Sequence, residues 1–322
     1  MQEVSITEVP GILIGHAHDL NAATGCTAII CKEGAVAGVD VRGGAPGTRE
    51  TDLLQPENLT NAIHSVVLAG GSAFGLAAAT GAAEWLEEQG VGFDVMVTKV
   101  PLVCSAVLFD LMIGDYRVRP DAAMGRAACE NAGKPQQMEG CVGAGAGATV
   151  GKLLGPETSM KSGLGCYCLK SQDVVVGSIV AVNCLGDVID PESREMLAGL
   201  LSPDKKSLAG TEKAMLESFL KASDLFAGNT TIGVVVTNAT LTKPQARKLA
   251  VMAHNGYARA MRPAHSMYDG DTIFSMATGK TKADLSTLGM LAARTMERAV
   301  VRAVMTATPL HGYLCAADLA RR

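Results

Sequence analysis

Short apolar runs punctuated by glycine dominate the first third of the chain: Ile12-Leu13-Ile14-Gly15, residues 27–31 and residues 35–41. Each is too short for a helix and is bounded by turn residues, so each predicts a strand. Residues 42–50, with Gly43, Gly44, Pro46 and Gly47, predict a loop. Residues 65–69 predict a buried strand feeding Gly70-Gly71-Ser72 and an alanine-rich helix that ends near Gly90. Further strands are predicted at 94–97, 177–182 and 232–236. Helical periodicity covers Lys243–Ala260, with Leu249, Met252 and Ala253 on one face, and residues 287–305. A shorter helical pattern at 213–220 lies in the most polar stretch, 186–228. Strands and helices come in blocks rather than in strict alternation, which favours α+β layers over a doubly wound sheet. No internal repeat is evident.

Composition sharpens this picture at one point. Glycine is unusually frequent, 36 of 322 residues, while aromatics make up only 4%. Such a chain packs backbone against backbone and fills its core with aliphatic residues. The net charge of −4 and the lack of a basic stripe argue against nucleic-acid binding. No run of about 18 apolar residues predicts a spanning helix, and the first residues lack the pattern of a signal peptide. Nine scattered cysteines, mostly among apolar neighbours, read as reduced, small hydrophobes of a cytoplasmic protein.

Candidate chemistry is sparse. Residues 143–152 suggest a phosphate loop, but Ala146 stands where the pattern needs Gly, and Leu153 where it needs Ser or Thr. A dinucleotide fingerprint fits Gly143, Gly145 and Ala148, yet residues 136–140 make a poor preceding strand. His16-x-His18 and Cys166-x-Cys168 lack a second pair at zinc spacing, so a structural role is favoured and no metal is expected. At Gly228-Asn229-Thr230-Thr231 a polar stretch meets a valine-rich strand. Cleavage before Thr230 would place its hydroxyl beside a free α-amine, whose reference pKa near 7.7–8.0 suits a general base. Composition alone explains the same threonine as a good strand former. Asp269-Gly270-Asp271 offers two carboxylates for one site, or simply a turn.

Taken together and in order, Gly15-His16, residues 41–48 (Val-Arg-Gly-Gly-Ala-Pro-Gly-Thr), residues 67–76 and residues 228–231 resemble the DmpA/β-peptidyl aminopeptidase family. The resemblance runs from about residue 8 to residue 315 and lies nearest the branch of 6-aminohexanoate-oligomer hydrolases. It implies an αββα sandwich forming a single domain, made as a precursor that cuts itself before a Ser or Thr. Here the cut falls between Asn229 and Thr230, leaving chains of 229 and 93 residues. Thr230 is then the nucleophile, with Thr231 the neighbouring alternative.

By the same resemblance, Asp269 and Asp271 stand where the oligomer-hydrolase branch has two catalytic carboxylates. Lys152 matches a basic residue near the nucleophile, and Asn183 the amide that polarises the scissile carbonyl. Where relatives often have Tyr-Asp, this chain has Phe109-Asp110, so a phenolic hydrogen bond is missing. The implied activity is cofactor-free hydrolysis of small peptides, amino-acid amides or ω-amino-acid oligomers through an acyl-enzyme, by a homo-oligomer of processed heterodimers. The alternatives are acyl transfer of the ornithine acetyltransferase type and a non-catalytic nucleotide-binding relative.

Overall fold

Eighteen consecutive residues, Thr24–Val41, form one strand shared by two sheets. In the computed structural model, residues 1–217 and 228–320 are described. The principal strands are β1 (Leu13–Asp19), β2 (Thr24–Val41), β3 (Ile63–Ala69), β4 (Val103–Val107), β5 (Leu164–Ser171), β6 (Val174–Ala181), β7 (Ile232–Ala239) and β8 (Thr272–Thr281). The principal helices are α1 (Ala78–Glu88), α2 (Ala122–Asn131), α3 (Lys243–Ala260) and α4 (Leu285–Met305).

The first part of β2 pairs antiparallel with β1 and β3, and β4 lies parallel to β3. Past a register shift between Ile30 and Ala35, the second part of β2 pairs antiparallel with β8. From there the second sheet runs β8, β7, β6, β5, with β7 and β8 parallel and the others antiparallel. Residues 27–31 and 35–41, expected as separate strands, are thus one continuous strand, because each half finds a different partner.

Both faces of both sheets are covered, which is why the strands read as unbroken apolar runs. Between the sheets, Ile29, Val66 and Leu68 meet Ile179, Val234 and Phe274. On the outside of the first sheet, Val67 and Ala69 pack on Ala78, Ala82 and Ala128 of α1 and α2. On the outside of the second, Val180, Val235 and Ile273 pack on Leu249, Ala253, Met296 and Val300 of α3 and α4. Alternation along β7 shows the layering directly: Val234 and Val236 face the opposite sheet and Val235 faces the helices. The result is the expected αββα sandwich. Each fully buried Val or Ile contributes roughly 1.5–3 kcal/mol, so the four layers rest on many modest terms.

Other expectations fare unevenly. Helices Lys243–Ala260 and Leu285–Met305 fall where periodicity puts them. Of the strand expected at 94–97 only Asp94 is extended and paired, at the end of a two-residue strand Phe93–Asp94. Of the 213–220 pattern, Thr211–Glu217 is helical and 218–220 lie outside the described residues. Helix α2 was not foreseen, although Asp121 caps it by accepting from Met124 N–H at 2.9 Å. All nine cysteines are buried and free. Among the described residues, no helix is long and apolar enough to cross a membrane.

Candidate active site

The parallel pair β7–β8 begins at Ile232 opposite Thr272, and its ladder continues backwards past the strand ends. Thr272 N–H donates to the Thr231 carbonyl at 3.0 Å and Gly270 N–H to the Asn229 carbonyl at 3.1 Å. Two sequence-distant stretches, 228–231 and 269–272, are thereby laid side by side at one end of the sandwich. Thr230 is 5% exposed and Asn229 3%. The Thr230 hydroxyl is hydrogen-bonded to the carbonyl oxygen of Asn229, so candidate nucleophile and candidate scissile carbonyl are already in contact. The Gly270 N–H is the backbone donor facing that same oxygen. Glycine is required at 270: a Cβ there would lie 2.7 Å from Thr230 Oγ1 and 2.8 Å from the Ala45 carbonyl oxygen.

The two aspartates flanking Gly270 are fully buried and held in different ways. Asp271 Oδ1 accepts from Thr231 N–H at 2.9 Å, and its Oδ2 accepts from His265 N–H and faces the His265 ring Nδ1, both at 2.9 Å. Asp269 accepts from Leu185 N–H at 3.3 Å, from Ser266 N–H at 3.2 Å and from the Ser266 hydroxyl. Burial, reinforced by the neighbouring Asp271 charge, raises the Asp269 carboxyl to about 6. The loop 42–47 closes over this pair, with Arg42 N–H on the Asp271 carbonyl at 2.9 Å and Ala45 N–H on the Asp269 carbonyl at 2.8 Å.

Asn183 follows β6 and contributes through both backbone and side chain. Its carbonyl accepts from Thr230 N–H at 2.9 Å. Its amide donates to the Phe109 carbonyl at 3.0 Å and accepts from Thr149 N–H at 3.0 Å. Lys152 Nζ donates to the Gly228 carbonyl at 2.9 Å. Desolvation lowers its ammonium to about 7, partly opposed by Cys184, Asp269 and Asp110. All five sequence-nominated side chains and Asn229 therefore meet within one region.

Two hollows of about 110 and 120 Å³ flank Asn229, and Phe109 forms a wall of both. The first is lined by Met112, Ile113, Lys152 and Tyr313 among others, and the second by Pro46, Gly47, Ser72 and Val107. The phenylalanine that replaces the expected tyrosine is thus at the site, with an apolar ring.

The glycine run 143–151 builds the floor behind Lys152. A Cβ at Gly145 would lie 2.1 Å from Leu164 N, and one at Gly147 would lie 2.0 Å from the Ala23 carbonyl oxygen. The carbonyls of this turn are gathered by Lys161, whose buried Nζ donates to Gly145, Ala148 and Ser162 carbonyls at 3.3, 2.9 and 2.5 Å. Asp110, likewise buried, accepts from Gly71 N–H and the Thr24 hydroxyl, each at 2.7 Å.

Sequence reasoning missed Gly270 N–H, His265, Ser266, Asp110 and Lys161. His265 and Ser266 stood just before the Asp-Gly-Asp motif, the one available signal. The other candidates are structural: His16 Nδ1 bonds the Thr27 hydroxyl at 2.9 Å, and Cys166 and Cys168 are buried. Among the described residues, no cluster of three or more His, Cys, Asp or Glu could hold a metal ion.

Residues 4–315 match the model for peptidase family S58. An uncharacterized aminopeptidase of Mycobacterium leprae is 39% identical over 346 residues, covering 96% of this chain and 92% of that protein. A 6-aminohexanoate-oligomer endohydrolase of Paenarthrobacter ureafaciens is 30% identical over 312 residues, covering 92% and 84%. Among solved structures, the L-aminopeptidase D-Ala-esterase/amidase of Ochrobactrum anthropi superposes with a TM-score of 0.73 at 19% identity, covering 98% of this chain and 92% of that one. That protein is described as a prototype of the serine aminopeptidases and a new variant among the Ntn hydrolase fold.

Proposed function

Since the chain belongs to peptidase family S58 and is a hydrolase, we propose that it is a self-processing amide hydrolase with Thr230 as its N-terminal nucleophile. The observation that carries this reading is the contact between the Thr230 hydroxyl and the Asn229 carbonyl, with Gly270 N–H on the same oxygen. In the precursor, Thr230 Oγ1 attacks the Asn229 carbonyl carbon. Negative charge develops on an oxygen that already faces the Gly270 N–H, the kind of fixed donor that lowers a barrier by about 2.7–4 kcal/mol. Collapse breaks the C–N bond, the proton passes to the Thr230 nitrogen, and an ester remains. Water hydrolyses the ester, leaving a carboxylate on Asn229 and a free α-amine on Thr230.

The same hydroxyl then attacks substrate, with the α-amine as base. The Asn183 carbonyl, which accepts from Thr230 N–H, stays in place to orient that amine. Asp271 fixes the backbone at Thr231, and Asp269, with a carboxyl near 6, exchanges protons close to neutrality. Lys152 and the Asn183 amide border the acyl side. An acyl-enzyme forms, the amine leaves, and water completes the cycle. The processed pairs assemble as homo-oligomers, and small peptides, amino-acid amides or ω-amino-acid oligomers are the substrate classes.

The test is intact-mass analysis of purified protein with an amide-hydrolysis assay. Fragments of 229 and 93 residues are expected, with Thr230→Ala remaining one inactive chain of 322 residues. An uncut wild type that hydrolyses amides would overturn the mechanism.

A further inference from the structure

We propose that Lys161 is a positioning residue for the reaction at Thr230. Its buried ammonium, acting through a single peptide group, sets the orientation of the Asn183 side-chain amide. This rests on the reading of Thr230 as nucleophile.

Lys161 is fully buried, and its Nζ donates to the carbonyls of Gly145, Ala148 and Ser162. Three acceptors take up all three N–H groups of an ammonium, whereas a neutral amine has only two to give. Asp110 lies against the same turn, its Oδ2 2.9 Å from where a Cβ on Gly147 would stand. A carboxylate so near offsets part of the penalty of burying a positive charge. The backbone brings the lysine to this place. Lys161 pairs antiparallel with Thr149, and Ser162 N–H donates to the Ala148 carbonyl at 2.9 Å.

The connection to the site runs through the peptide between Ala148 and Thr149. Its carbonyl oxygen accepts from the ammonium at 2.9 Å, and its N–H donates to Asn183 Oδ1 at 3.0 Å. A positive charge at the oxygen of an amide draws electrons from its nitrogen and makes that N–H a stronger donor. The Asn183 amide is thereby held with Oδ1 on Thr149 and Nδ2 on the Phe109 carbonyl. Turned over, it would set its NH2 group against Thr149 N–H and its oxygen against the Phe109 carbonyl.

Asn183 in turn meets the candidate nucleophile, since its own carbonyl accepts from Thr230 N–H at 2.9 Å. A side chain anchored at both ends limits how far that carbonyl can swing. Lys161 touches no reacting atom; it acts by keeping Asn183 in one orientation.

Self-processing of newly synthesised full-length chain, followed by intact mass, tests the proposal. Lys161→Met keeps the reach of the side chain without its donors, and Lys161→Gln keeps two N–H donors without the charge. Lys161→Met is expected to cut about tenfold more slowly than wild type, or slower still, the size of one hydrogen bond to a charged group. Lys161→Gln is expected to fall between them, an order that mere filling of space would not produce. Asn183→Ala is expected to be at least as slow as Lys161→Met. Combining the two should slow the cut by no more than about twofold beyond Asn183→Ala, because the lysine acts through the amide already removed. Where only Lys161→Gln folds, it takes the place of Lys161→Met in this cycle. Wild-type rates in the lysine variants would overturn the proposal, as would effects that multiply in the double variant. Failure of both lysine variants to give folded protein by circular dichroism would also overturn it, since the lysine would then serve the fold as a whole. A wild type that is never cut would instead overturn the nucleophile reading, and this inference with it.

Discussion

His265 grips Asp271 twice, through its backbone N–H and its ring Nδ1, each 2.9 Å from the same carboxylate oxygen. The opposite oxygen accepts from Thr231 N–H. The histidine therefore positions the carboxylate that fixes the backbone next to Thr230. Its ring also packs edge-on against His254, 4.8 Å between centroids, which limits its freedom to turn away.

In His265→Ala the backbone bond survives and the ring bond is lost. We expect kcat to fall about tenfold with KM little changed, as loosening of one positioning hydrogen bond predicts. His265→Asn, which restores a donor near the Nδ1 position, should recover part of the loss. Steady-state kinetics and circular dichroism on the processed variants check this. A changed KM at unchanged kcat would count against a positioning role.

Gly270→Ala puts a methyl group where Thr230 Oγ1 lies only 2.7 Å away. The hydroxyl must move, and a displacement of about 1 Å at a reacting atom can cost on the order of 100-fold. Uncut precursor should accumulate, visible in an electrophoretic time course after synthesis. Cleavage at the wild-type rate would remove Gly270 from the account of self-processing.

Asp110 gives a pH signature. Burial raises its carboxyl from 3.8 to about 6, only partly offset by its bonds to Gly71 and Thr24. A group whose folded pKa is raised holds its proton longer in the fold. Its contribution is fully present below about 4 and is lost as pH rises through about 6. Relative to Asp110→Asn, the wild type should lose up to about 3 kcal/mol of stability between pH 4 and pH 7, from a shift of about two units. Denaturant midpoints of both proteins across that range provide the measurement. Using the difference between them cancels the same-sign contributions of Asp269 and Asp187, which are raised by burial as well. Parallel curves would mean that Asp110 is not the group that titrates.

Some of this was legible in the linear chain because it depends on local pattern. Helix α3 follows from a 3.6-residue repeat, and β7 from a valine-rich run set off by Gly228 and Asn229. The candidate nucleophile, the Asp-Gly-Asp motif, Lys152 and Asn183 were likewise nominated from the sequence and its resemblance to a family. Why they belong together was not legible. Thr230 and Gly270 are forty positions apart, and only the parallel register of β7 and β8 makes them neighbours.

The division follows from what each level of description contains. Sequence carries residue type and short-range periodicity, so it determined the layers, the glycine-rich floor and the inventory of reactive groups. Partnership is a long-range matter. That Asp271 answers to His265, that Asp110 is spent on Gly71 and Thr24, and that Lys161 gathers the carbonyls of the glycine run depend on packing between distant segments. Burial then sets the charge states, since a carboxyl or ammonium shifts only when the fold removes its water. The tertiary structure alone decided these, together with which backbone N–H faces the Asn229 carbonyl.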